Sequence, residues 1–98
     1  KGDFKMKIAY VRVSSADQNE ARQVEALKKY DIEKWFVEKV SGKDMNRPEL
    51  QRLLEFAREG DTVYVKDFSR LARSTKDLLE LVEIQREEYT SCIIERES

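Results

Sequence analysis

The residues best suited to chemistry in this sequence are hydroxyls and guanidinium groups, not imidazoles or thiols. There is no histidine, and Cys92 is the single cysteine. That excludes His-based triads, His-liganded metal sites, an internal disulfide and a thiolate zinc cluster. Three polar segments gather what remains: Arg12 to Gln18, Val40 to Arg47, and Lys66 to Arg73. They carry Arg12, Ser14, Ser15, Gln18, Lys43, Arg47, Lys66, Arg70 and Arg73. Cations at this density suit a phosphate or another anion. A hydroxyl at the start of a helix lies near free backbone N–H groups and the positive dipole end, so Ser14 or Ser15 could bind or attack a phosphorus centre. The simpler reading of either serine is a helix cap, and of Arg70 and Arg73 a pair of surface cations. No GxGxxG or GxxxxGK[ST] pattern accompanies the patch, which argues against nucleotide binding through those loops.

These segments need elements to hold them. Met6 to Val13 (MKIAYVRV) mixes β-branched and aromatic residues in near-alternation, the pattern of a strand. Ser15 with Gln18 fits a capping box, and Ala21, Val24 and Leu27 form one helical stripe between Asp17 and Lys29. Trp35-Phe36-Val37 is a second strand. Asn46 with Glu49 fits another capping box, with Pro48 in the first turn. Leu50, Leu53, Leu54 and Ala57 give the cleanest helical period, ended by Glu59-Gly60-Asp61. Thr62 to Lys66 reads as a third strand and Asp67 to Arg73 as a loop. Ser74 with Asp77 caps a third helix carrying Leu78, Leu81 and Val82, and Tyr89 to Glu95 is a fourth strand. The order βαβαβαβ predicts an α/β fold: three layers, α/β/α, around a mostly parallel sheet of four or five strands. In such sheets ligands bind outside the carboxyl ends of the strands, where the three polar segments fall.

Length and charge set bounds. The chain has 98 residues, enough for one small domain. Lys plus Arg number 19 and Asp plus Glu 20, so the net charge is -1 and no strong overall field draws it to nucleic acid or membrane. No apolar run approaches the ~18 residues of a membrane span, so no transmembrane helix or signal peptide is expected; the expected setting is cytoplasmic, and the lone thiol is neutral on that point.

Tyr10-Val11-Arg12-Val13-Ser14-Ser15 resembles the YxRVS motif of serine recombinases, the resolvase/invertase group. The likeness continues through Gln18, Gln23, Ser41-Gly42, Arg47-x-x-Leu50, Glu59-Gly60-Asp61 and Ser69-Arg70-Leu71-Ala72-Arg73-Ser74. It spans nearly all of residues 6–96 in order. The resemblance implies a DNA recombinase that cleaves and rejoins strands through a 5′-phosphoserine intermediate, with no cofactor and no metal. By match of motif, Ser14 is the nucleophile, Arg12 and Arg70 contact the scissile phosphate, and Arg73 stabilises the leaving group or transition state. Gln18 and Arg47 complete the shell and Gln23 supports it; Lys66 joins the phosphate-binding side as a member of the cationic patch rather than by motif. Fixed guanidinium groups suit the charge that develops on a transferring phosphoryl group. Serine needs a base, and without histidine a carboxylate or the phosphate must serve; Asp61 is the carboxylate to test.

Two departures stand out. Many members have Asp just before the RLxR arginine, where this chain has Ser69. The chain also reads as a catalytic core over residues 6–98 that stops before the dimerisation helix and DNA-binding domain. The implied partners are double-stranded DNA and further copies of the full-length protein, as homodimer and synaptic homotetramer. The alternative is a non-catalytic DNA-binding or regulatory module that keeps the fold. A response-regulator-like or flavodoxin-like domain has a similar element order, but the first wants an acidic pocket where this chain is basic.

Overall fold

The computed structural model describes residues 5–14, 20–40, 47–75 and 80–95; the side chains of Ser14, Val40, Arg70 and Ser74 lie outside that description. The order of elements is β1 (Lys7–Ser14), α1 (Glu20–Leu27) with a 3-10 turn (Lys28–Tyr30), β2 (Lys34–Val40), α2 (Pro48–Phe56), β3 (Thr62–Val65), α3 (Phe68–Thr75), β4 (Glu80–Arg86) and β5 (Thr90–Glu95).

Strand β1 is apolar on both faces, which is what a central strand of a covered sheet requires. Ile8 and Tyr10 pack on one side with Leu50, Leu53 and Leu54 of α2 and Leu71 of α3. Ala9, Val11 and Val13 pack on the other with Leu27 of α1. The result is the expected three-layer α/β/α arrangement. The five strands lie in the order β2-β1-β3-β5-β4. β1 pairs in parallel with β2, from Ile8↔Lys34 to Ser14↔Val40, and with β3. β5 runs antiparallel to both β3 and β4, so four strands point one way and β5 reverses.

Helix α2 forms where the leucine period places it: Leu50, Leu53, Leu54 and Ala57 are all buried. Gly60 makes the turn into β3 at φ +94°, a conformation other residues rarely adopt. Its N–H donates to the Ile94 carbonyl at 2.8 Å, tying that turn to β5.

The end of the chain departs from the sequence expectation. The third helix lies earlier, at Phe68–Thr75, in the segment read as a loop. Glu80–Arg86, read as part of that helix, is strand β4. Leu81, Val82 and Ile84 satisfy either period in isolation. The exposed edge of β5 supplies a row of backbone partners, and the hairpin through residues 87–89 uses them. Of the strand's residues only Leu81 is half-buried; Val82 and Ile84 are exposed. The proposed caps Ser15–Gln18 and Ser74–Asp77 fall outside the described residues.

Candidate active site at the strand ends

Because β1, β2 and β3 are parallel, their carboxyl ends share one edge of the sheet. A cleft of about 270 Å³ opens there. Tyr10 and Arg12 of β1 form one wall, Gln23 of α1 and Arg47 before α2 the flanks, and Val65, Lys66, Asp67 and Leu71 the far side. This is the ligand position that open α/β topology favours.

Arg12 is half-buried, and its Nε is buried without a hydrogen-bond partner among the described residues. A desolvated guanidinium N–H is a strong demand for an anion. The Arg12 carbonyl accepts a hydrogen bond from Gln23 Nε2 at 3.2 Å, which ties α1 to the end of β1. Ser14 is the last residue of β1, paired with Val40.

One buried charge organises this edge, and sequence reading missed it. Glu38 of β2 is 1% exposed and sits in register beside Arg12. Its Oε1 accepts a hydrogen bond from the Tyr10 hydroxyl at 3.2 Å and from the Leu50 N–H at 3.1 Å. Leu50 is the third residue of α2, so Glu38 caps that helix from a neighbouring strand. Arg47, at the N-cap position, makes no side-chain cap bond. The signal was there to read: Glu38 falls on the Phe36–Val40 stripe of β2, an acid where alternation calls for an apolar residue. Burial, reinforced by the Glu38 carboxylate, pushes the Tyr10 phenol well above its ordinary value, while Arg12 and Arg47 pull it back. Tyr10 therefore stays a neutral donor at physiological pH.

The structure brings Arg12, Gln23, Arg47 and Lys66 to one cleft. The Lys66 ammonium also lies 5.8 Å from the centroid of the Tyr89 ring. Arg73 is exposed in the last turn of α3, and Arg70 belongs to the same helix. Gln18 lies outside the described residues. Asp61 is not brought to this group. It precedes β3, whose length puts it roughly 13 Å from the cleft end at about 3.3 Å per residue. Its two oxygens accept the Met6 N–H at 3.0 Å and the Arg58 N–H at 2.9 Å, so its carboxylate holds a turn together. Asp67 does line the cleft, and it accepts the Ser69 hydroxyl at 3.0 Å.

Two guanidinium groups and an ammonium converging on a cleft can hold a phosphodiester and stabilise charge on its non-bridging oxygens. Among the described residues no three His, Cys, Asp or Glu side chains gather as a metal site requires, and no helix is long and apolar enough to cross a membrane.

Comparison with known proteins gives a consistent result. The family described as "Resolvase, N terminal domain" matches residues 7–97. The Transposon Tn501 resolvase of Pseudomonas aeruginosa is 53% identical over 77 residues, covering 79% of this chain and 40% of that protein. The Transposon Tn917 resolvase of Enterococcus faecalis is 45% identical over 82 residues, covering 84% of this chain and 45% of that one. A resolvase of Clostridium perfringens is 40% identical over 80 residues, covering 80% and 42%. The chain thus spans less than half the length of these relatives.

Proposed function

This chain belongs to the resolvase/invertase family as its N-terminal catalytic domain, and on that premise we propose that it cuts and rejoins DNA through a 5′-phosphoserine link. Ser14 is the nucleophile: its Oγ forms a bond to a backbone phosphorus, and the bond from phosphorus to the 3′ oxygen breaks. Arg12, with Arg70 and Arg73 from α3, stabilises the phosphoryl group and the leaving oxygen. Gln18, Gln23, Arg47 and Lys66 position the phosphate. The link retains the energy of the broken ester, so rejoining is the same step in reverse with a new 3′ hydroxyl. The partners of the whole protein are duplex DNA and further copies of itself, a dimer on each site and a tetramer across two.

The observation that supports this reading best is Arg12. Arg12 lines the cleft two residues before the end of β1, and its buried Nε has no hydrogen-bond partner among the described residues. An orphaned cationic donor beside a strand-end serine suits phosphoryl transfer better than passive packing.

The test uses the intact chain joined to the remaining part of the Tn501 resolvase, acting on the recombination site of that transposon. The fusion is expected to form a covalent protein–DNA adduct that survives denaturing gel electrophoresis. Ser14→Ala is expected to abolish the adduct while a gel-shift assay shows unchanged DNA binding. An adduct that persists in Ser14→Ala, or none from the parent fusion, refutes the proposal.

A further inference from the structure

We propose that a second groove, beside the cleft on the same edge of the sheet, takes the DNA phosphate next to the scissile one and holds it between Lys66 and Arg86; the inference rests on the DNA-cleaving reading above. β5 runs antiparallel to β3, so its first residue, Thr90, pairs with Val65, the last of β3. Arg86, the last residue of β4, pairs with Thr90 in turn. The turn between β4 and β5 therefore reaches the carboxyl edge where the cleft opens. A groove of about 260 Å³ lies between this turn and the start of α3. Lys66 and Asp67 line both the groove and the cleft, so the two hollows adjoin.

Both cations are held in place. Arg86 Nε donates to Glu83 Oε2 at 2.9 Å and its Nη2 to Glu83 Oε1 at 3.3 Å, and Nη1 takes no part in these bonds. The fork fixes the plane of the guanidinium at the groove. The Lys66 ammonium, over the Tyr89 ring, stands where groove and cleft meet. The acids of the groove are engaged by other donors. Glu87 accepts the Tyr30 hydroxyl at 2.9 Å and Gln85 Nε2 at 2.7 Å, and Asp67 accepts the Ser69 hydroxyl. Two adjoining hollows, each flanked by cations, match a strand that carries one phosphate per nucleotide. A small single anion would fill only one of them. A phosphate contact of this kind fixes the register of the strand without reading its bases.

A purely structural role competes with this one. Arg86 could serve only its pair with Glu83, and exposed pairs contribute little. Arg86→Lys separates the two roles. It keeps the positive charge that a phosphate attracts and loses the planar fork that grips Glu83.

The experiment measures DNA binding by the same fusion in gel-shift assays across a salt series. The probe is Tn501 site DNA, intact or with one phosphate on either side of the scissile one replaced by an uncharged methylphosphonate. Arg86→Ala is expected to weaken binding to intact DNA by about 10-fold and to flatten the slope of log affinity against log salt by about 0.9, the share of one phosphate contact. At one of the two flanking positions the methylphosphonate is expected to cost the parent the same factor and to cost Arg86→Ala nothing more. Arg86→Lys is expected to keep the parent salt slope. Parent-like affinity and slope in Arg86→Ala overturn the inference. So does a loss in Arg86→Lys equal to that in Arg86→Ala, or a methylphosphonate loss that simply adds to that of Arg86→Ala at both positions. Failure of the underlying reading shows separately, as an adduct in Ser14→Ala or none from the parent fusion.

Discussion

The thiol of Cys92 is sealed between β3 and β5, fully buried, and donates to the Val63 carbonyl at 3.3 Å. Burial first, and the nearby Glu83 carboxylate second, push its pKa from 9.0 up to about 12. The sign follows directly. Above about 9 the unfolded chain releases a proton that the folded chain keeps, so stability is whole below that pH and falls as pH rises toward about 12. Tyr30, pushed up to about 12 by burial and its hydrogen bond to Glu87, acts in the same direction. The urea midpoint should therefore drop between pH ~8 and pH ~10, and a thiol reagent should label Cys92 only as the chain unfolds. A midpoint that holds or rises would contradict the burial assigned to these groups. At this scale the sequence was informative about type and poor about place. Arg12, Arg47 and Lys66 could be gathered because each follows or ends a strand. Asp61 looked equally available, yet which end of a strand a residue occupies is settled by chain direction, and it lies at the amino end.

At the scale of elements, the joint between β2 and α2 depends on Glu38. Its carboxylate satisfies Tyr10 of β1 and the third N–H of α2 at once. Glu38→Ala would leave two buried donors unpaired, at a cost of about 2–6 kcal/mol at ~1–3 per donor. Glu38→Gln keeps an acceptor oxygen and should lose much less. Chemical denaturation of the two variants tests this, and an alanine variant as stable as the parent would rule out the strand-borne cap. The helix itself was legible, since Leu50, Leu53, Leu54 and Ala57 share one face. Its cap from Glu38 was not, because the acceptor that binds the Leu50 N–H comes from a residue 12 positions earlier, and Asn46 of the locally spaced Asn46–Glu49 pair lies outside the described residues. The same reason explains α3 and β4. A helical period over residues 78–82 is a local property, and pairing with β5 is a property of the assembled sheet.

At the scale of the whole molecule, a net charge of -1 conceals a separation of charge. Arg12, Arg47 and Lys66 meet at one edge of the sheet. Acids such as Glu25 and Glu83 lie on exposed surface in pairs with Lys28 and Arg86, and surface pairs of this kind contribute little to stability. Averaging over the chain removed the one electrostatic feature that matters for an anionic partner. The parallel run of β1, β2 and β3 restores it, because three strand ends pointing one way turn residues distant in sequence into a single surface. The unpaired Nε of Arg12 carries a consequence for this whole. Among the described residues that donor has left water and gained no partner, a cost to the fold that a bound oxyanion would offset. Arg12→Met keeps the apolar stem and removes the orphan, and should raise the melting temperature by about 4–8 °C for each kcal/mol recovered, in a range of ~1–3 kcal/mol. A tungstate or vanadate ion should stabilise the parent against heat and leave Arg12→Met unmoved, whereas a less stable Arg12→Met would show that the guanidinium is already satisfied at rest. Readiness for the ligand and robustness without it are then opposed in one side chain.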